Sequence, residues 1–481
     1  MPADVREEVT IHAVAHGGAG IGRAVGDDAR VWFIDGALPG DVVLAERTQV
    51  KPRMIRGRML EVLRAGPLRQ EPMCALASTC GGCGWQHVVP AAQAELKARI
   101  VADLTRRLGV PVGTIVGSPA ALGYRRRARA HFERGPGGLR LGFFGRGGHG
   151  VVDTPACPVL DAPLRHAFAR MRELGAALPE RGELHGLSDG VRAIVGVAAQ
   201  AEIGGQSVGL PMIGGETERV RARLTGLLDR VLVGIVVAGP RSDLGVGLQA
   251  LEIDGPGPGD MSPRTDGAGP ADMSRATAGP DLGDMSEGAA GSLERMPIRT
   301  GPFGFAQAQA AQNAALVEHV LRLAGGERRP RGLELFAGAG NFTRGLATRV
   351  RELWAVETDA GAVAGLRRLA ARAGVLGGAK VHVEREPAAA ALRRLAAAGE
   401  RFELVVLDPP RAGLGVGPAR DLARVAGGRT IYVACDPATL ARDLAALVEL
   451  GHRVVDLAIF DLMPMTPDVE VVAVLEAGSA A

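Results

Sequence analysis

The stretch Gly332-Leu-Glu-Leu-Phe-Ala-Gly-Ala-Gly-Asn-Phe-Thr343 reads as a strand that runs into a glycine-rich turn and then into a helix. Gly338 and Gly340 let a ligand approach the backbone closely, and the helix start offers free N–H groups. Downstream, Leu353-Trp-Ala-Val356 closes on Glu357. Further strand-like runs cover Lys380 to Val383, Phe402 to Leu407 and Thr430 to Ala434, with helical stretches between them. This alternation predicts an α/β domain over 296–481, built on a doubly wound parallel sheet.

The ends of those strands carry the chemistry. The third glycine of the dinucleotide fingerprint is missing, because Thr343 stands in its place. Glu357 closes the next strand, where it can accept hydrogen bonds from ribose hydroxyls. A nucleoside-containing cofactor without a pyrophosphate, S-adenosylmethionine, therefore fits better than NAD. Leu407-Asp-Pro-Pro-Arg411 follows an apolar run, and its two prolines force a rigid, extended exit from the sheet. Cys435 follows Thr430-Ile-Tyr-Val-Ala434 and precedes Asp436-Pro437. An isolated cysteine is usually a small core residue. Here it shares a sheet edge with Glu357 and Asp408, a convergence that a core role does not predict. Near the end, Phe460-Asp-Leu-Met-Pro-Met-Thr-Pro-Asp-Val-Glu470 leads into a final strand, Val471 to Leu475, and Phe303-Gly-Phe-Ala-Gln307 precedes an Ala-rich helix.

Composition narrows the class. The chain has 481 residues, enough for two to four domains, and its 47% apolar content supports real cores, with aromatics at only 3%. It has no apolar run of 18 residues and no apolar leader near Met1, so a cytoplasmic protein without a membrane span is expected. A net charge of +3 does not identify a nucleic-acid binder. Basic residues do crowd two stretches, Arg47 to Arg58 and Arg125 to Arg129, and these suggest RNA contact.

Residues 1–65 read as short strands with Gly-rich turns, the pattern of a small OB-like β-barrel. Residues 66–238 predict a mixed, mostly antiparallel central domain, with a helix from about Pro90 to Leu108. Residues 239–295 repeat Asp-Met-Ser at Asp260, Asp272 and Asp284 and offer no apolar face, so a disordered insert is expected there. Five cysteines in a cytoplasmic chain are poor disulfide candidates. Cys74, Cys80 and Cys83 fall within ten residues, and Cys157 lies further along, so a metal site is the better explanation. Four thiolates suit either Zn²⁺ or a [4Fe-4S] cluster.

Taken in order, these motifs resemble the class I, S-adenosylmethionine-dependent RNA uracil-5-methyltransferases of the RumA/TrmA type. The F-x-Q, glycine-turn, D-P-P-R, cysteine-x-Pro and V-E motifs are all present. The N-terminal segment is similar to a TRAM domain, an RNA-binding β-barrel. The cysteine pattern is similar to the [4Fe-4S] site of the ribosomal-RNA branch. The resemblance implies Cys435 as nucleophile and Glu470 as the base that removes the C5 proton. It implies Gln307, Phe336, Asn341, Glu357 and Asp408 as contacts to the methyl donor, and Cys74, Cys80, Cys83 and Cys157 as cluster ligands. Three positions depart from the pattern: Asp436 replaces the usual Asn, Asp468 stands where His often precedes V-E, and Gln309 stands where F-x-Q usually continues to Asn.

The activity so implied is methyl transfer to C5 of a uridine in RNA, with 23S rRNA expected as partner and a monomer as the working form. Uracil C5 is a poor nucleophile, and a thiolate adding to C6 activates it. The target base must be flipped out of its stack to reach the thiol. Two other readings stay open at this point: a transfer-RNA methyltransferase, or an RNA-binding protein with a degenerate catalytic domain.

Overall fold

In a computed structural model the chain is described over residues 6–24, 30–175, 178, 180–199, 201–203, 206–208, 217–238, 244–253, 296–375 and 378–478. Five strands, β1 (Arg6–Val14), β2 (Gly20–Ala24), β3 (Val31–Ile34), β4 (Val42–Lys51) and β5 (Met54–Arg64), close into a barrel in the order β1-β2-β3-β5-β4. Alternation decides its inside. Val9, Ile11, Trp32, Ile34, Val43, Ala45 and Ile55 meet in its core. Asp41 ties the barrel to the segment after β5, accepting from the N–H groups of Leu38 and Gly66, each at 2.8 Å, and from Arg69 Nη2 at 2.5 Å.

The helix Pro90–Thr105 begins with proline in its first turn, where no N–H is needed. A 3-10 turn, Arg106–Leu108, and Gly109 at φ +70° end it. Gln93, Leu96, Lys97, Ile100 and Val101 recur at helical spacing and are buried. The helix is packed on two sides: Val101 and Ala98 join the core of the C-terminal domain, while Leu96 and Ile100 meet Val14, Leu38, Trp85 and Val88. The next strand, β6 (Thr114–Val116), pairs in parallel with the C-terminal sheet. Residues 90–116, read from sequence as part of a 66–238 domain, thus join the C-terminal sheet through β6.

The central sheet holds β7 (Arg127–Gly135), β8 (Gly138–Phe144), β9 (Val151–Asp153), β10 (Arg181–Ser188), β11 (Ala193–Ala199), β14 (Leu232–Val237) and β15 (Leu244–Gly247), in the order β15-β14-β11-β10-β7-β8-β9. All neighbours are antiparallel except β11 and β14, which agrees with the mixed, mostly antiparallel reading. The helix Ala162–Arg172, capped by Asp161 accepting from the Leu164 N–H at 3.0 Å, covers one face. A ribbon, β12 (Ala201–Ile203) with β13 (Gln206–Val208), stands apart. The stretch expected to be a disordered insert carries β15 and also β16 (Leu251–Ile253), which pairs with β17 (Ile298–Thr300). The Asp-Met-Ser repeats lie outside the described residues.

The C-terminal sheet contains β18 (Arg329–Leu335), β19 (Val350–Glu357), β20 (Lys380–Arg385), β21 (Phe402–Leu407), β22 (Ala426–Ala434), β23 (Arg453–Phe460) and β24 (Glu470–Glu476), in the order β20-β19-β18-β21-β22-β24-β23-β6. The first five are parallel and carry near-continuous apolar runs such as Leu404-Val-Val-Leu407. β24 enters antiparallel between β22 and β23. Strand order reverses between β18 and β21, so the crevice for ligands opens at the C-terminal edge there. Among the described residues no helix is long and apolar enough to cross a membrane.

Candidate active site

The residues singled out in the sequence meet at that edge. A cleft of about 870 Å³ is lined by Gln307, Phe336, Glu357, Asp408, Cys435 and Glu470. A smaller cavity beside it, about 60 Å³, is lined by Gln307, Phe336, Gly338, Asn341 and Asp408. All seven candidates for catalysis and donor binding therefore border one connected site.

Register explains how the two reacting candidates come together. Ala434 pairs with Val471 in the antiparallel β22/β24 ladder. Continuing the ladder by one residue sets Cys435 across from Glu470, and cross-strand partners share one face of a sheet. Glu470 is 6% exposed, and its Oε1 is buried without a hydrogen-bond partner among the described residues. Burial raises its carboxyl well above the usual range; Asp408 and Asp468 add to this, and Arg411 opposes it. Burial likewise pushes the Cys435 thiol up to about 12, with Glu470 and Asp408 adding to the shift and Arg411 opposing it. Asp408 is pushed up to about 7 by burial. Burial thus favours the neutral thiol, and a nearby cation favours the thiolate.

Two sources of positive charge lie near the thiol: Arg411 and a helix N-terminus. The helix Pro437–Glu449 does start beside Cys435, but its N-cap is Asp436, whose Oδ1 accepts from Ala438 and Thr439 N–H at 3.0 and 2.9 Å. A carboxylate already faces that helix end, whereas the charge of Arg411 lowers the thiol's pKa. Arg411 Nη2 is held by Asp468 Oδ1 at 3.1 Å, which gives the Asp at that position a role. The loop after Pro410 is pinned by buried Asp443, which accepts from Leu414 N–H at 2.7 Å and from the Tyr432 hydroxyl at 2.8 Å. Asp408 thus leaves the sheet on a rigid exit, as the two prolines predict.

The donor side is a turn under strain. Phe336 adopts φ +59°, uncommon for a residue with a side chain. Gly338 at φ +57° faces open space, since an added Cβ would meet nothing within 4 Å. Its N–H donates to Glu357 Oε2 at 2.9 Å, and Glu357 Oε1 accepts from Thr358 and Asp359 N–H at 2.6 and 2.8 Å. Glu357 therefore fixes the glycine turn and keeps lone pairs for a ligand. Asn341 is held by Asn313 through a reciprocal amide pair at 3.0 and 2.9 Å. The sequence reading missed Asn313, which lies inside a helix with no motif around it. Gln309, one of the departures, accepts from and donates to Ser118 Oγ, tying the helix Ala310–Ala324 to the segment after β6.

Arginine and aromatic side chains form the far wall. Arg125, Arg127, Arg129, His185, Phe303 and Phe305 line the same cleft, and Phe305 is 72% exposed. The arginine run that suggested RNA contact is therefore part of the reaction cleft. On the barrel, Lys51, Arg53 and Arg56 are exposed, while Arg47 and Arg58 pair with Glu7 and Glu46.

The four clustered cysteines border a separate cavity of about 30 Å³, together with Gln86 and Arg125. Burial pushes the Cys83 thiol up to about 11, opposed by Gln86 and raised further by Cys157 and Cys80. Burial also raises Cys157, while Val159 and Leu160 N–H groups lower it. Among the described residues no group of three or more such side chains stands close enough to hold a metal ion as placed.

Comparison with known proteins places this geometry. Residues 295–477 match the family described as tRNA (Uracil-5-)-methyltransferase, and residues 6–60 match the TRAM domain. A 23S rRNA (uracil(1939)-C(5))-methyltransferase RlmD of Pseudomonas entomophila is 31% identical over 496 residues, covering 99% of this chain and 95% of that protein. The chain belongs to the RNA uracil-5-methyltransferase family. RlmD of Methylococcus capsulatus, also 31% identical, covers 97% of this chain and 96% of its own. A solved Pyrococcus abyssi tRNA (uracil-54, C5)-methyltransferase, in complex with S-adenosyl-L-homocysteine, shares the fold at a TM-score of 0.66 and 22% identity, over 98% of this chain and 99% of that one. As a uracil-5-methyltransferase of this family, the chain is an S-adenosylmethionine-dependent enzyme acting on RNA. The Rossmann-like catalytic domain and TRAM barrel expected from sequence are both present.

Proposed function

We propose that this chain methylates C5 of a uridine in 23S rRNA through a covalent adduct between Cys435 and C6 of the base. The observation that carries the reading is the convergence of Cys435, Glu470 and Asp408 at one cleft that also holds the donor turn. S-adenosylmethionine, when bound, supplies an electrophilic methyl group on a sulfonium; Gln307, Phe336, Asn341, Glu357 and Asp408 are the residues that would hold it. The Cys435 sulfur adds to C6, and its proton leaves towards the neighbouring carboxyls. The electron pair so delivered makes C5 nucleophilic, and C5 takes the methyl group as its bond to the donor sulfur breaks, leaving S-adenosylhomocysteine. Glu470 removes the C5 proton, the C6–S bond breaks, and the thiol is restored. Glu470 suits this step because its carboxyl is buried, its Oε1 has no hydrogen-bond partner among the described residues, and its pKa is raised.

Ribosomal RNA is the favoured substrate because the RlmD relatives align over nearly the whole chain. Mapping 5-methyluridine in total RNA with and without the protein tests this; loss only at a transfer-RNA position refutes the substrate. In vitro, Cys435→Ala should abolish methyl transfer while donor binding persists, and retained turnover refutes the nucleophile.

Cys74, Cys80, Cys83 and Cys157 are proposed to hold a [4Fe-4S] cluster. In support, all four border one cavity, and N–H groups of Val159 and Leu160 point at a sulfur, as around cluster thiolates. The thiols must lose their protons on loading. Protein purified without oxygen should contain iron and sulfide and absorb broadly in the visible. Zinc alone refutes the cluster, and no metal refutes the site. A monomer working in the cytoplasm completes the reading.

A further inference from the structure

The turn between β1 and β2, Ala15-His-Gly-Gly-Ala19, reaches the catalytic domain at two points. His16 Nε2 lies 3.3 Å from Asp436 Oδ2. Asp436 directly follows Cys435, and its other oxygen caps the helix Pro437–Glu449. Its carboxylate thus binds the helix on one side and the barrel on the other. Burial works to raise the Asp436 carboxyl, but the Thr439 N–H, His16 and the Ala438 N–H outweigh it and hold it low. Two residues on, Gly18 sits at φ +91°, and an added Cβ would stand 2.7 Å from Trp85 Nε1 and 3.1 Å from Pro467 Cβ. Pro467 belongs to the loop that ends at Glu470. The turn is internally braced, with Gly18 N–H donating to Ala15 O at 2.9 Å and Ala15 N–H to Ala19 O at 2.8 Å.

We propose that His16 is a positioning residue for methyl transfer: the barrel's β1–β2 turn latches the Cys435 turn beside the Glu470 loop. RNA held on the barrel then meets a reaction centre that the barrel itself aligns. The departure at position 436 fits this role, since Asn there could still cap the helix but would offer His16 Nε2 an amide in place of a carboxylate oxygen. With side chains 41% and 21% exposed, the pair adds little to overall stability, so its effect belongs in turnover.

The test is steady-state methylation of an RNA transcript by the full chain. His16→Ala should lower kcat about three- to tenfold with the KM for S-adenosylmethionine and the Tm unchanged. His16→Gln, which keeps a donor, should recover most of the loss. In an Asp436→Asn background, His16→Ala should do no further harm. An unchanged kcat in His16→Ala overturns the latch. So does a rise in the KM for RNA alone, or a loss that multiplies with that of Asp436→Asn. The proposal rests on Cys435 and Glu470 as the reacting groups. Retained turnover in Cys435→Ala would refute that centre, whereas an inert His16→Ala refutes only the latch.

Discussion

Replacing Lys97 by methionine should destabilise the protein by about 3–5 kcal/mol, because it leaves a buried carboxylate without its cation. Lys97 Nζ lies 2.5 Å from Asp461 Oδ1 and 3.1 Å from Met463 O. The two side chains are 0% and 3% exposed. Burial lowers the Lys97 pKa and raises that of Asp461, and each charge draws the other back. Neither ion is tolerable there alone. Methionine matches the length of the lysine stem, so little volume is lost and the penalty is electrostatic. The hydrogen bond to Met463 O falls within the same range. The double variant Lys97→Met/Asp461→Asn removes both charges, so a cycle should show coupling of about 2 kcal/mol or more. Urea unfolding at constant m measures the loss, with Trp85 fluorescence as a local probe, since Lys97 Nζ lies 5.8 Å from its ring centroid. A loss under about 1 kcal/mol, or an additive cycle, would refute the argument.

Three further outcomes are expected from the geometry. Glu470→Gln should trap RNA on the protein as a methylated, Cys435-dependent adduct on denaturing gels, with turnover down about 100- to 10,000-fold; free turnover without adduct refutes its role as base. Asn313→Ala releases the Asn341 amide and should weaken S-adenosylhomocysteine binding about three- to tenfold by calorimetry, as expected for one hydrogen bond; an unchanged Kd would show that the pair is idle. Asp41→Asn should cost about 2–4 kcal/mol near neutral pH. Burial raises the Asp41 carboxyl, but Arg69 and the N–H groups of Gly66 and Leu38 outweigh it and hold it below its ordinary value. Its stabilisation is present above the unfolded pKa of about 3.9 and is lost as pH falls through the folded one. The gap between wild type and Asp41→Asn should therefore close in acid, and a constant gap counts against the linkage.

Much of the site was legible because strand ends in a parallel sheet are marked by composition. The glycine turn after Leu335, Asp408 before two prolines, and Cys435 after an apolar run each carry a local signal. What stayed hidden depends on pairing between distant segments. Nothing near Glu470 announces that β24 inserts antiparallel and brings it opposite Cys435. Three residues, Thr114–Val116, are too few to show periodicity, so β6 could not be seen joining the catalytic sheet. β15 and β16 are short strands beside a Gly/Pro-rich stretch, and composition there pointed to disorder. Lys97 and His16 look like solvated residues, and only burial or contact with a partner far along the chain reveals otherwise.

The position of β24 bears on when the centre can exist. During synthesis β22 and β23 emerge first, the strand that separates them is made after both, and Glu470 comes after every other residue lining the cleft. Until β24 inserts, β23 and β6 have no seat on the sheet and Cys435 has no carboxylate across from it. The candidate pair of Cys435 and Glu470 is therefore completed only when β24 takes its place between β22 and β23.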